Sequence, residues 1–145
     1  MNNPIRNASR ALQIAAALFY GAACGGNTKS VVAPPAVTVY TLQTIDGGSL
    51  PHEVDRSTDG AFTAVTLDMT LTIVGDGTWR TVEHRVATLN GVSQTQTRNG
   101  NGVYAFTGAS ATLRSENGDV EWTGTFTPSA FTLTNRLAQV FVFSK

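Results

Sequence analysis

Hydrophobic and polar residues alternate with a period of two along most of the chain after residue 36. The clearest run is residues 62–74, where Thr or Asp separates five apolar residues: Val65, Leu67, Met69, Leu71 and Ile73. Successive side chains of a β-strand point to opposite faces. The run therefore predicts a strand that buries these five side chains and leaves its other face in water.

Similar but shorter runs predict further strands, and no long stretch has the 3.6-residue period of an amphipathic helix. The predicted strands span residues 37–44, 78–90, 92–97, 103–107, 111–114, 120–126, 131–134 and 140–143. Tight turns are predicted where Gly, Asn and Asp cluster: at 46–48, 75–77, 90–91, 98–102 and 117–118. The charged stretch from His52 to Gly60 has no period and is predicted to be a surface loop.

Two of these strands are unusual. On the strand 78–90, Glu83 and Arg85 share a side with Trp79, so no face is fully apolar, and we expect the two charges to form an exposed ion pair. The strand 92–97 is almost entirely polar and is predicted to be an edge or poorly covered strand. On the strand 120–126, Glu121 is expected to face away from Trp122.

Short consecutive strands joined by tight turns predict an all-β fold, an antiparallel up-and-down meander of eight or nine strands. Such a meander closes into a barrel or folds into a β-sandwich, and closure is favoured because it removes exposed strand edges. A barrel of eight strands is wide enough to be filled by its own side chains or to hold one small ligand.

The N-terminal residues have the composition of a secretory signal. Arg6 and Arg10 precede an apolar run, Ala11 to Tyr20, which is too short to span a membrane. Small residues then lead to Cys24, the single cysteine of the chain. The sequence predicts a signal peptide over residues 1–23, and an ordinary secreted protein cut near Ala23 remains an alternative.

The succession ending at Ala22, Ala23 and Cys24 resembles the signal of bacterial lipoproteins, in which the cysteine is acylated and becomes the N-terminus. The resemblance implies a lipidated Cys24, a membrane anchor and a place in the cell envelope. Gly25 after the cysteine implies the outer membrane. Residues 24–36, which include Pro34 and Pro35, are predicted to be the lipidated cysteine and a flexible tether, and residues 37–145 form the domain.

Several segments of the domain resemble the small lipocalin-like domains of bacterial envelope lipoproteins. They are Tyr40-Thr41-Leu42, Ile45-Asp46-Gly47, Leu50-Pro51, Asp76-Gly77-Thr78-Trp79 and the stretch from Gly102 through Gly108 to Leu113. The resemblance implies a lipocalin-like β-barrel that binds a small apolar ligand. Aromatic side chains on the strands are the candidate ligand-binding residues, and they serve equally well as core: Tyr40, Trp79, Phe106 and Trp122.

Charge and motifs narrow the chemistry. Ten basic residues balance ten acidic ones, and no basic stripe that would bind nucleic acid is present. His52 and His84 are outside any zinc-binding spacing, and no nucleophile elbow or phosphate loop occurs. We expect no cofactor, no metal and no enzymatic activity. Two functions stay open: binding a small apolar ligand inside the barrel, or a structural role in which a filled barrel contacts another envelope protein.

Overall fold

The structure, a computed structural model, describes residues 37–145, so the predicted signal, Cys24 and the tether lie outside the described residues. Ten strands make up this part of the chain. They are β1 (Val37–Ile45), β2 (Gly48–Ser49), β3 (His52–Arg56), β4 (Phe62–Val74), β5 (Thr78–Leu89), β6 (Val92–Thr107), β7 (Ser110–Ser115), β8 (Val120–Thr127), β9 (Ala130–Asn135) and β10 (Val140–Ser144).

The strands form one antiparallel meander that closes into a barrel. The order across the sheet is β2-β1-β10-β9-β8-β7-β6-β5-β4-β3, and β1 also pairs with β4. That last pairing, between residues 37–41 and 70–74, joins eight strands into a closed ring. The predicted all-β barrel is confirmed and the sandwich is not formed. Every strand of the ring lies within residues 37–145, so this segment contains the whole barrel and its core.

The prediction of a loop from His52 to Gly60 is wrong over its first half. Residues 52–56 form β3, which pairs with residues 63–66 at the start of β4. A bulge between Glu53 and Asp55 interrupts the alternation, which is why no period is visible in the sequence. On the exposed surface Arg56 donates two hydrogen bonds to Glu53, at 2.8 and 2.6 Å.

The prediction of a turn at residues 98–102 is also wrong, because β6 runs through them as part of one strand. Gly100 and Gly102 lie opposite Thr81 and Trp79 on β5. A methyl group at Gly100 would lie 3.2 Å from the Trp79 ring, and one at Gly102 would lie 1.8 Å from the carbonyl oxygen of Arg114. These glycines therefore provide room for close packing inside the barrel and do not turn the chain.

The predicted buried face of β4 is right for only half of the strand. A bulge follows Thr66 and leaves Leu67 as an extra residue on the outside. Beyond it Met69 and the apolar residues that follow are buried as expected. Before it the phase is reversed: Ala64 and Thr66 point inward, and Val65 points outward.

Aromatic side chains fill one end of the barrel, where β1 begins and β4 ends. The ring of Tyr40 meets Phe131 edge-on at 4.8 Å, and Phe126 lies 4.8 Å from both Phe131 and Phe106. Phe106 also contacts Tyr104 at 4.8 Å. We call this the aromatic end. Its rings belong to one continuous cluster with aliphatic residues from β1, β4, β7 and β9 and with two phenylalanines from β10.

Candidate functional site

At the opposite end of the barrel, which we call the polar end, charged side chains join the apolar ones of the interior, and β5 supplies two of them. Trp79 and Thr81 are buried on its inward face, and Glu83 and Arg85 continue the same row. The prediction that this strand has no fully apolar face is therefore confirmed. Since β5 crosses from the aromatic end to the polar end, its inward face changes from an indole to charged groups along its length.

A cleft of about 600 Å³ opens at this polar end. Among the residues that line it are two tryptophans, one methionine and several charged or amide side chains: Trp79, Trp122, Met69, Glu83, Arg98, Asn99, Asn101 and Glu121. A smaller cavity of about 140 Å³ adjoins it and shares Met69, Glu83, Arg98 and Trp122. We treat the two as one site and call it the cleft. It arises because β5 and β6 extend beyond the turn that joins β7 to β8.

The charges in the cleft do not neutralise one another in the way the sequence suggested. Glu83 accepts a hydrogen bond from the buried Thr66 hydroxyl at 2.6 Å, and Arg85 donates to Gln96 at 3.0 and 3.2 Å. The expected ion pair between Glu83 and Arg85 is wrong, since each side chain is held by a neighbouring strand. Arg98 lies opposite Glu83 in the β5–β6 register, and within the described chain its guanidinium has neither a hydrogen bond nor an ion pair.

Glu121 also departs from its predicted position. The β7–β8 register skips one residue of β8 between Trp122 and Val120, so Glu121 is the bulged residue and lines the cleft beside Trp122. A bulge re-aims the extra side chain. Arg136, from the turn between β9 and β10, donates to the Glu121 carboxylate at 3.2 Å, which leaves this acid already paired.

Two of the four candidate ligand-binding residues reach the cleft. The indole N–H of Trp79 donates to the carbonyls of Val103 and Arg114 at 3.1 and 2.9 Å, so this buried ring is the fixed floor of the cleft. Trp122 is partly exposed and stands edge-on to Phe141 at 4.7 Å. Trp122 is therefore the aromatic ring best able to contact a ligand.

The other two candidates belong to the aromatic end. Tyr40 and Phe106 pack within the core cluster and are not among the residues that line the cleft. Tyr40 is fully buried, and its hydroxyl has no hydrogen-bond partner among the described residues. Burial raises the pKa of Tyr40 above its ordinary value, because the charged phenolate would lose its hydration.

Sequence reasoning missed Arg98, Asn99 and Asn101, because these residues were assigned to a turn. A signal for the correct interpretation was present. Residues 94, 96, 98, 100 and 102 continue one period-two row from the preceding polar strand, and they place Arg98 on the inward face. The stretch was nevertheless predicted to be a turn, because Gly and Asn are common in turns.

The remaining candidate groups lie elsewhere. His84 is exposed on the outer surface, where its Nδ1 lies 2.7 Å from Asp68. No group of three or more potential metal ligands occurs between residues 37 and 145, and no helix in that range is long and apolar enough to cross a membrane. Comparisons with protein families, with characterised proteins and with solved structures gave no match for this chain.

Proposed function

We propose that the chain is an envelope lipoprotein, anchored to a membrane through an acylated Cys24, whose lipocalin-like barrel binds a small ligand in the cleft. The observation that carries the proposal is the cleft itself. Its volume of about 600 Å³ lies within the range of small-molecule sites, roughly 300–1,000 Å³. Polar groups make up most of its lining, and they converge around the partly exposed ring of Trp122. No catalytic role is proposed.

The lining indicates a ligand with an apolar body and a polar head. Trp122 and Met69 offer apolar contact, whereas Glu83 and Arg98 offer an acceptor and a donor. A wholly apolar ligand would remove water from both charged groups without replacing their hydrogen bonds, which costs free energy. The sequence-based expectation of an apolar ligand is therefore narrowed to an amphipathic one.

Glu83 also influences the charge of the head group. Its carboxylate lies opposite Arg98, so a negatively charged head that approaches the guanidinium also approaches an acid. A neutral head with hydroxyl groups can accept from Arg98 and donate to Glu83 at once. We expect a neutral glycerol monoester of a fluorescent fatty acid to bind more tightly than the free acid.

Titration of residues 25–145 with these two fluorescent probes tests the proposal. The expected result is saturable binding at one site, with the monoester tighter than the acid. Trp122→Ala should weaken binding about tenfold, because the main aromatic contact is lost. Glu83→Gln should narrow the difference between the two probes, and Val82→Ala, on the exposed outer face of the same β5 strand, should leave binding unchanged.

A structural role with a filled barrel is the second candidate, and the packing of the aromatic end favours it. Five aromatic residues meet there at ring distances of 4.8 to 6.1 Å. Under this alternative neither probe binds saturably, and the Trp122 variant behaves like the parent chain. That outcome would favour a role in which the filled barrel contacts another envelope protein.

The anchor is tested separately. Replacement of Cys24 by Ala in the full chain should abolish incorporation of a fatty-acid label and release the protein from membranes, because acyl chains supply the membrane affinity. Membrane retention that does not depend on Cys24 would refute the anchor without affecting the proposed binding.

A further inference from the structure

The first part of β6 has an open edge. β6 pairs with β5 from Val92 to Val103, but it pairs with β7 only from Gly102 to Thr107. Within the described chain, residues 92–101 therefore have a strand neighbour on one side only. Backbone N–H and C=O groups along such an edge are free to pair with another strand.

The hairpin geometry identifies which backbone groups face outward. Asn90 and Gly91 form a two-residue turn with φ of 50° and 80°, which is the type I′ turn of a tight hairpin. In that turn the N–H of Val92 bonds to the carbonyl of Leu89, so residue 92 and every second residue after it bond to β5. The backbone bond from Tyr104 N–H to Gly77 at 2.9 Å, beside β5, fits the same alternation.

The odd-numbered residues consequently present their backbone groups at the open edge: Ser93, Thr95, Thr97 and Asn99. Natural sheets protect long edges with Lys, Pro, bulges or very short strands. None of these devices interrupts residues 92–101: the register with β5 has no bulge, Arg98 is the one charged residue, and Lys and Pro do not occur. An edge of this length without protection is expected to be covered by another strand.

We propose that residues 92–101 of β6 pair antiparallel with the same residues of a second copy of the chain. The side chains favour self-pairing. Ser93, Thr95 and Thr97 form a row of hydroxyls on one face, and Gln94 and Gln96 form a row of amides on the other. Hydroxyl and amide rows both form favourable pairs with copies of themselves across two strands.

The position of Arg98 also favours a second copy of the chain as the partner of this edge. If the two-fold axis passes through Thr95, Arg98 of each copy lies opposite Val92 of the other, and if it passes through Gln96, Arg98 lies opposite Gln94. In both registers the two Arg98 side chains stay apart, so like charges do not oppose each other. The pairing joins two barrels through one continuous sheet.

Amide hydrogen exchange of residues 25–145 at low and high protein concentration tests the pairing residue by residue. The N–H groups of Thr95 and Thr97 should exchange about tenfold more slowly at high concentration, whereas those of Gln94 and Gln96 should be protected at both concentrations. Sedimentation should show the change from one copy to two over the same range. Fast exchange at Thr95 and Thr97 at all concentrations, or a chain that stays monomeric, would overturn the proposal.

A matched pair of variants separates edge pairing from a general effect of surface charge. Thr95→Lys with Thr97→Lys places like charges opposite each other across the edge and should leave a monomer. Thr123→Lys with Thr125→Lys makes the same change on β8, which has β7 and β9 on its two sides, and should leave the dimer intact. A dimer that survives the first pair of changes would refute pairing through β6.

If the lysine variant fails to fold, cysteine substitution supplies an independent result. Residues 25–145 contain no cysteine, so Thr95→Cys introduces a single thiol at the edge. Oxidation should link two copies rapidly through residue 95 if the axis passes through Thr95, and Gln96→Cys should be linked instead if it passes through Gln96. Thr125→Cys on β8 should give little linked product in either case. Linkage of neither edge variant above the β8 level would count against the proposed edge.

Discussion

At the level of single residues, two tyrosines near the aromatic end differ in what their hydroxyl groups contact. The Tyr104 hydroxyl donates to the carbonyl of Val74 at 2.8 Å, whereas the Tyr40 hydroxyl has no partner in the described part of the chain. Tyr40→Phe should therefore raise the free energy of unfolding by about 1 kcal/mol, and Tyr104→Phe should lower it by about 0.5–1.5 kcal/mol. Chemical denaturation measures both, and a loss of stability in Tyr40→Phe would contradict the assigned environment.

The same two side chains make stability depend on alkaline pH. Burial raises the pKa of both tyrosines, and the nearby Asp76 carboxylate adds to the effect at Tyr104. The folded chain then holds these protons more tightly than the unfolded chain does. The contribution of these two tyrosines to the free energy of unfolding should accordingly be constant below pH about 10 and decrease as the pH rises further. Denaturation curves across this range should show a smaller decrease for Tyr40→Phe than for the parent chain.

Two glycines of β6 predict a graded response to the addition of one methyl group. At Gly102 the new carbon would lie 1.8 Å from the Arg114 carbonyl oxygen, which is backbone and has little freedom to move. At Gly100 the nearest atom is the Thr81 hydroxyl, at 2.6 Å, which can rotate away. Gly102→Ala should lower the free energy of unfolding by about 1–3 kcal/mol or more, and Gly100→Ala by clearly less. Equal losses in thermal denaturation would argue against continuous β6 packing.

At the level of strands, local patterns predicted the hairpins well and failed at bulges. The two-residue turn at Asn90 and Gly91 follows directly from its residue types. The inward face of β4, by contrast, could not be derived from alternation alone, because the extra residue Leu67 reverses the phase of everything before it. In the same way the bulge in β8 moved Glu121 from the face on which a strict period of two placed it, and the bulge in β3 concealed that strand in the sequence.

The bulge at Leu67 predicts how β4 responds to the deletion of a single residue. Removal of Leu67 lets Thr66, Asp68 and Met69 alternate without interruption, with their present faces unchanged. Deletion of Leu67 should therefore give a folded chain with a free energy of unfolding within about 1 kcal/mol of the parent, because an exposed residue is lost. Deletion of the buried Leu71 should prevent folding, since it turns half of the strand inside out. Circular dichroism with thermal unfolding distinguishes these outcomes, and an unfolded Leu67 deletion would contradict the assigned bulge.

At the level of the whole molecule, the sequence predicted the fold more completely than the site. The meander from β4 to β10 follows from turns that are each local, so it could be derived strand by strand, and closure through β1 was predicted because it removes exposed strand edges. The cleft depends on β5 and β6 being longer than β7 and β8, which is a comparison between distant parts of the chain. The sequence identified Trp79 and Trp122 because an aromatic ring on a strand of a small barrel either packs in the core or contacts a ligand. Arg98 was missed because its contribution appears only once β6 is seen to be one strand.

The barrel is divided into a packed aromatic end and an open cleft, and the residues that a bound probe contacts show which of the two binds a ligand. Titration of isotope-labelled residues 25–145 with the glycerol monoester, followed by NMR, reports each amide and the two indole N–H groups separately. We expect shifts concentrated at Trp122, Arg98 and Asn99, with the resonances of Tyr40 and Phe106 unchanged. Shifts centred on the aromatic end, or no saturable shifts at all, would contradict this expectation.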